Sequence, residues 1–434
     1  MVAAMSIFPF PKFSAVLDVQ LDQTGADGTL SLIHVPLELY STFLQPILQV
    51  LLPQSQAAAA AAAAAGNSEL GGGRLEGLTV DNQHGFLNIS VTPIECSIVC
   101  HSAWARNVFD PAIRKLPREI ARNVSVSRDS YVVFSVISAG MDAGSRVVDL
   151  TSPLALAGIP IFFITTYYSD FILVPTKDRQ AVVKTLLARG FVFSEEDEST
   201  FKSPVASASH NRGIISSSTR EPPSTPPPST LGELQNRTFV QLKKQNVVPY
   251  VEEGLRLIQC SGREQRNNMN IRGYERPSLS RAQMGMGTGG SGNGVSKRRC
   301  WVDMVDTKLY TSLVSALVSK PRFLSITLAQ DDPPSLLLDK ELLGMFGDSL
   351  VGPTEGDNYL VPIFLDLANL PFEATGIVSG VAGKLVQDMQ MLECPELSYL
   401  STARAGAVIL SAELSTRALD ILKPLLDKTP TGSQ

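Results

Sequence analysis

Four histidines, five cysteines and one glycine-rich stretch are the residues with an obvious capacity for chemistry, so their spacing decides which reactions to consider. His34, His84, His101 and His210 stand on different segments, and none is paired with Ser, Cys or a carboxylate at the spacing of a catalytic triad. No H-E-x-x-H, Walker A or G-x-S-x-G occurs. Cys96 and Cys100 are close enough to meet, but no second cysteine pair and no neighbouring histidine pair completes a zinc site. Cys260, Cys300 and Cys394 are scattered, and an odd total is not a disulfide framework. Gly285-Met286-Gly287-Thr288-Gly289-Gly290 satisfies G-x-G-x-x-G. A dinucleotide site needs a strand before that motif and a helix after it, whereas here more glycine and serine follow, so it reads as linker. The expectation is a non-catalytic protein with no metal and no cofactor.

Composition agrees with a folded chain of several modules. Hydrophobic residues make up 44% of the 434 and charged residues 18%, which is globular rather than disordered. No apolar run reaches the length of a membrane span, and the N-terminus lacks a basic start followed by an apolar block. A cytoplasmic protein is expected. Charge is uneven: residues 201–299 hold 15 Lys and Arg against 6 Asp and Glu, a net of +9 within a chain whose total is −5. Aromatics such as Tyr274 are too few among those basic residues to make the repeated stacking platform that nucleic-acid binding requires, so no nucleic-acid partner is expected. Nine alanines, Ala57–Ala65, precede Gly71–Gly73 and mark a loop insertion over 53–76. A second low-complexity segment, 195–299, passes through Pro222–Pro228 and cannot bury enough apolar surface to order itself. Inside it, the spacing of Val248, Val251, Leu255 and Ile258 predicts a helix over 245–260.

The remaining sequence repeats itself. Leu30–Val35 precedes a helical pattern from Leu37 to Leu52; Cys300–Val305 precedes one from Thr307 to Ser319. Tyr131–Val136 and Tyr359–Leu365 are β-rich runs, followed by helices near Ala143–Ala157 and Gly376–Met389. Hairpins then appear at Ile161–Val174 and Leu397–Leu410, each leading into a helix, Asp178–Arg189 and Ala412–Leu426. The pattern is α+β. It predicts four ferredoxin-like βαββαβ modules in two tandem pairs, with long disordered insertions, at 12–117, 128–194, 300–347 and 356–428.

Two stretches carry a resemblance to a known family. Ile161-Phe162-Phe163-Ile164-Thr165-Thr166-Tyr167-Tyr168-Ser169-Asp170-Phe171-Ile172-Leu173-Val174 resembles the second ACT module of the CASTOR group, cytosolic arginine sensors of the TOR kinase pathway. Phe372-Glu373-Ala374-Thr375-Gly376-Ile377-Val378 with Tyr399-Leu400-Ser401-Thr402 is similar to the fourth. The resemblance implies a regulatory protein that binds a small amino acid between those two modules, signals to a protein partner in a nutrient-signalling complex, and leaves room for a homodimer. Carried over by position, the ligand residues are Pro160, Ile161, Pro371, Glu373, Ala374, Thr375, Gly376, Ile377, Thr402, Ala403 and Gly406. Family acids for the guanidinium fall at Ala374 and Gly406, so a ligand smaller and more apolar than arginine is expected. Tyr167, Tyr168 and Asp170 correspond to a partner-facing surface; Asp170 read simply as a turn residue caps backbone amides instead.

Overall fold

A computed structural model describes residues 16–18, 29–52, 85–137, 143–193, 228–263, 306–329, 332–354, 358–371, 374–389 and 397–427. The poly-alanine insertion, the G-x-G-x-x-G stretch and most of 195–299 therefore lie outside the described residues.

Sixteen strands appear among these residues, in chain order β1 (Val16–Asp18), β2 (Leu30–Val35), β3 (Phe86–Val91), β4 (Cys96–His101), β5 (Ser125–Val126), β6 (Tyr131–Ile137), β7 (Phe162–Thr165), β8 (Asp170–Pro175), β9 (Val192–Phe193), β10 (Leu257–Gly262), β11 (Leu324–Ala329), β12 (Ser335–Asp339), β13 (Leu350–Val351), β14 (Leu360–Asp366), β15 (Ser398–Ser401) and β16 (Ala405–Ser411). The longer helices are α1 (Tyr40–Leu51), α2 (Ala143–Leu156), α3 (Arg179–Leu187), α4 (Leu231–Lys244), α5 (Thr307–Val318), α6 (Ile377–Asp388) and α7 (Ala412–Leu426).

The expectation of four separate ferredoxin-like modules is overturned by the strand order. Twelve strands run β2-β4-β3-β11-β12-β10-β14-β16-β15-β7-β8-β6, and β6 returns to β2. Every pairing in this ring is antiparallel, so the sheet is one closed barrel. The physical reason lies at the edges. A strand with unpaired amides and carbonyls seeks a partner, and here each expected module finds it in another. β3 aligns with β11 over six residues, Phe86↔Ala329 to Val91↔Leu324, and β7 meets β15 at Ile164↔Leu400. β10, which falls inside the expected linker, sits between β12 and β14.

Alternation along each strand sorts side chains to the two faces. One face of β2, β3, β4 and β10–β12 packs under α1 and α5 through residues such as Ile33, Ile89, Ile98 and Leu336. One face of β6–β8 and β14–β16 packs under α2, α3, α4, α6 and α7 through Phe134, Phe163, Ile172 and Val408. The other faces meet inside. The tilted rings of Phe86 and Phe171 meet at 5.0 Å between centroids, and those of Phe323 and Phe364 at 6.1 Å, so opposite walls touch and the barrel is flattened. Its two six-stranded walls join through single register pairs, Leu30↔Tyr131 and Leu257↔Leu360.

Polar residues fill part of the interior without being left unpaired. Asn88 donates to Ser325 and Thr327 across the β3–β11 seam, and Ser90 shares a 2.8 Å bond with Ser325. The most demanding group is Glu95, in the β3–β4 turn, whose side chain has no exposure. It accepts from Thr402 Oγ1 at 2.6 Å and Arg404 N at 2.5 Å on the opposite wall, and from His34 Nδ1 at 2.5 Å on its own. The neighbouring Ser97 Oγ accepts from Ala403 N at 3.1 Å.

The predicted helix at 245–260 is also corrected. Pro249 lacks an amide donor, Asn246 and Gly254 take φ of 56° and 74°, and the chain enters β10 instead. The helix lies earlier, at α4. Thr230 Oγ1 accepts from Glu233 N while Glu233 accepts from Ser229 N, which fixes its start. α4 then docks on the glycine face of α6. A Cβ at Gly380 would lie 2.7–2.8 Å from three Thr238 side-chain atoms, and Thr238 Oγ1 donates to Gly376 O at 3.2 Å.

Two outcomes follow from this packing. Glu95→Ala takes the acceptor from three donors, of which only Thr402 keeps another, Ala405 O at 3.3 Å, and is expected to lower unfolding free energy by about 3 kcal/mol. Glu95→Gln, which keeps one acceptor oxygen, should cost less; urea titrations giving equal losses would refute that account. Gly380→Ala forces α4 off its seat, at a cost of about 1–3 kcal/mol. Hydrogen exchange would register this as faster exchange confined to residues 231–244.

Candidate functional site

A cavity of about 60 Å³ opens beside the first turn of α6. A water-sized group occupies roughly 10–15 Å³ on this measure, so the space suits a small molecule of several non-hydrogen atoms. One wall comes from α2 and the following strand: Thr151, Ala155, Ile161 and Phe162. The other comes from 367–379 and from the β15–β16 hairpin, where Tyr399, Ser401, Thr402, Ala403 and Ala405 line it.

Local sequence explains why α6 starts here. Gly376 takes φ 81°, a left-handed conformation that costs glycine little, and the chain turns there into the helix without a side-chain cap. A Cβ at this position would approach Leu234 Cδ1 of α4 to 2.7 Å. The first bond of the helix runs from Gly380 N to Gly376 O at 2.7 Å. The amides of Ile377, Val378 and Ser379 thus have no carbonyl one turn earlier in the helix, and all three residues line the cavity. A helix start of this kind favours a carboxylate.

Most hydroxyls around the cavity are engaged. Thr151 Oγ1 donates to Val147 O at 2.7 Å, and Ser379 Oγ bonds Ser152 Oγ at 2.9 Å, joining α6 to α2. Ser401 Oγ accepts from Phe163 N at 3.0 Å, and Thr165 Oγ1 from Tyr399 N at 3.0 Å. These two side-chain bonds flank the single β7–β15 register pair. Thr402 reaches Glu95. No carboxylate or cationic side chain is among the described residues of the lining.

Seven of the eleven residues predicted for the ligand line this cavity: Ile161, Pro371, Ala374, Gly376, Ile377, Thr402 and Ala403. Pro160 is buried just before it, and Thr375 is half-buried next to Gly376 without lining the space. Gly406 sits behind Tyr399, whose hydroxyl would be 2.5 Å from an added Cβ. Glu373 lies outside the described residues. Sequence reasoning missed the α2 contribution, Thr151 and Ala155, and missed Leu367, Leu370 and Tyr399. Tyr399 carried no signal of its own in the sequence, because it fills the space left by its diagonal neighbour Gly406 and that placement is set by strand register.

The expected partner-facing trio divides. Asp170 is fully buried and ion-paired with Arg146 of α2, so it faces the interior of its own fold. Burial pushes its carboxyl up from the ordinary aspartate value, while Arg146 and the Thr165 hydroxyl pull it back. Tyr167 is half-buried; its amide donates to Ser335 Oγ at 2.8 Å and its ring abuts Gly352. Tyr168 is 52% exposed and packs edge-on against Tyr167 at 4.8 Å. The three cysteines described, Cys96, Cys100 and Cys260, are buried free thiols, and burial pushes Cys100 and Cys260 up to about 12. Among the described residues no cluster of His, Cys, Asp and Glu is arranged to hold a metal ion, and no helix is long and apolar enough to cross a membrane.

Comparison with known proteins gives one family match and a number of remote structural ones. No curated protein matches the chain. Among solved structures, a protein from Agobacterium tumefaciens is 18% identical over 42% of this chain and 92% of its own, with a TM-score of 0.24. Aspartate kinase from Synechocystis is 9% identical over 97% of this chain, with a TM-score of 0.28, and the match spans 57% of the kinase. The ACT-domain family model matches residues 126–188, a single occurrence in place of the four expected modules. That span contains β6, α2, β7, β8 and α3, including the whole α2 wall of the cavity. Residues 126–188 of this chain thus match the ACT-domain family.

Proposed function

We propose that this protein is a non-catalytic regulator that binds a small amino acid in the cavity at the start of α6. The observation that carries this reading is the position of the cavity: one wall lies in the residues that match the ACT-domain family, and the other offers first-turn amides that have no partner within their own helix. The amino acid's carboxylate sits at those amides. Arginine is disfavoured, because Ala374 and Gly406 supply no carboxylate and a buried guanidinium without one is poorly compensated.

The finer assignment is a cytoplasmic sensor on a TOR-type nutrient pathway. It is supported by the likeness of 161–174, 372–378 and 399–402 to CASTOR proteins. A protein partner then reads the ligand-bound form through the surface around Tyr168. Coupling has a physical route, since Thr402 and Ala403 line the cavity and are hydrogen-bonded to Glu95 and Ser97 on the opposite wall. A ligand that favours one setting of that hairpin shifts the relation between the walls.

Thermal-shift measurements on the full chain with each of the twenty amino acids test the reading. A genuine ligand at one hundred times its Kd adds about 2.7 kcal/mol of stability. Ala374→Phe, which fills the cavity from its rim, should abolish that gain while the ligand-free protein still melts cooperatively. If no amino acid raises the melting temperature, the chain is an interaction scaffold rather than a sensor.

A further inference from the structure

One lining group stands apart from the other hydroxyls. Tyr399 is 1% exposed and fully enclosed, yet among the described residues its Oη has no hydrogen-bond partner. Its placement follows from register. Tyr399 pairs with Val408 and Ser401 with Gly406, so Gly406 is the diagonal neighbour of Tyr399 on the helix-facing side of the sheet. Glycine leaves that space to the phenol: an added Cβ would stand 2.5 Å from Oη and 3.6 Å from Leu367 Cδ1. Leu367 and Tyr399 both line the cavity, so the hydroxyl stands beside it, against Gly406 and near Leu367. Burial drives the phenol far above the ordinary tyrosine range, which keeps it a neutral O–H able both to donate and to accept.

A buried hydroxyl without a partner is costly, and such a group persists at a binding site when the ligand completes it. We infer that Tyr399 is the specificity-determining residue of the cavity, and that the ligand is a small neutral amino acid whose side chain carries a hydroxyl or amide for the Tyr399 hydroxyl. This rests on the cavity being an amino-acid site. The division of labour is chemical: the helix start, with several amides, takes the carboxylate, and the lone neutral phenol takes a neutral polar group. A cavity of about 60 Å³ with no charged side chain among its described residues suits that class. Sites built to hydrogen-bond a ligand hydroxyl reject the analogue that lacks it, because the protein group is then left unpaired.

The experiment compares near-isosteric pairs on the full chain by calorimetry: threonine with valine, serine with alanine, asparagine with leucine. At least one polar member is expected to bind ten times more tightly than its apolar counterpart. Tyr399→Phe should bring that ratio to about one, by weakening the polar member while the apolar one stays within threefold. Ligand-free Tyr399→Phe should melt at or above the wild-type temperature, since it loses only an unpaired hydroxyl. The inference is overturned if apolar or charged amino acids bind best, if the variant keeps the wild-type ratio, or if it melts more than 5 °C lower, which would show that the hydroxyl has a partner within the fold. In those cases the cavity remains an amino-acid site. Absence of binding by every amino acid removes that reading, and this inference with it.

Discussion

A carboxylate with no path to water has to be met by donors, and the donors that meet Glu95 come from both walls of the barrel. His34 belongs to the wall that carries Glu95, while Thr402 and the Arg404 amide belong to the other. Much else depends on this junction. The walls share only single register pairs at β2–β6 and β10–β14, so main-chain bonds alone hold their edges weakly. The aromatic interior supplies bulk attraction but little orientation. Glu95 supplies orientation, with two short bonds directed at one hairpin tip and a third holding it to His34 on its own wall.

Side-chain hydroxyls recur wherever the ladder is thin. In the β3–β4 and β7–β8 turns a leading threonine, Thr92 or Thr166, accepts from the amide three residues on and donates to that residue's carbonyl. Thr402 opens the β15–β16 turn in the same way, its amide bonded to Ala405 O, but its hydroxyl makes its shorter bond to Glu95. One small substitution of partner thus turns an ordinary turn into a link between walls. At β7–β15, Ser401 and Thr165 hydroxyls bond the main chain of the facing strand on either side of the single register pair.

The elements were legible in the sequence and their assembly was not. Helices with a continuous apolar stripe, such as α7 with Ala418, Leu422 and Leu426, and strands such as β8 announce themselves by period. Nothing in the period of β3 or β11 says that they pair with each other, because both faces of both strands are buried whichever neighbour they take. The linker misled for a related reason: Val248, Val251, Leu255 and Ile258 fit a helical spacing, but Pro249 and Gly254 interrupt it and the backbone takes β10 instead. Much of the cavity was foreshadowed by Gly376, Thr402 and Ala403. Thr151, Ala155 and Tyr399 were not, since which residues of α2 and β15 face that gap depends on how α2 and α6 pack.

The middle position of β10 in the ring gives the low-complexity region an architectural duty. Excising 195–299 as a cassette would remove β10 along with α4, unzip the barrel between β12 and β14, and bare two apolar strand edges to intermolecular pairing. The few residues of β10 are thus tied to the closure of the whole ring.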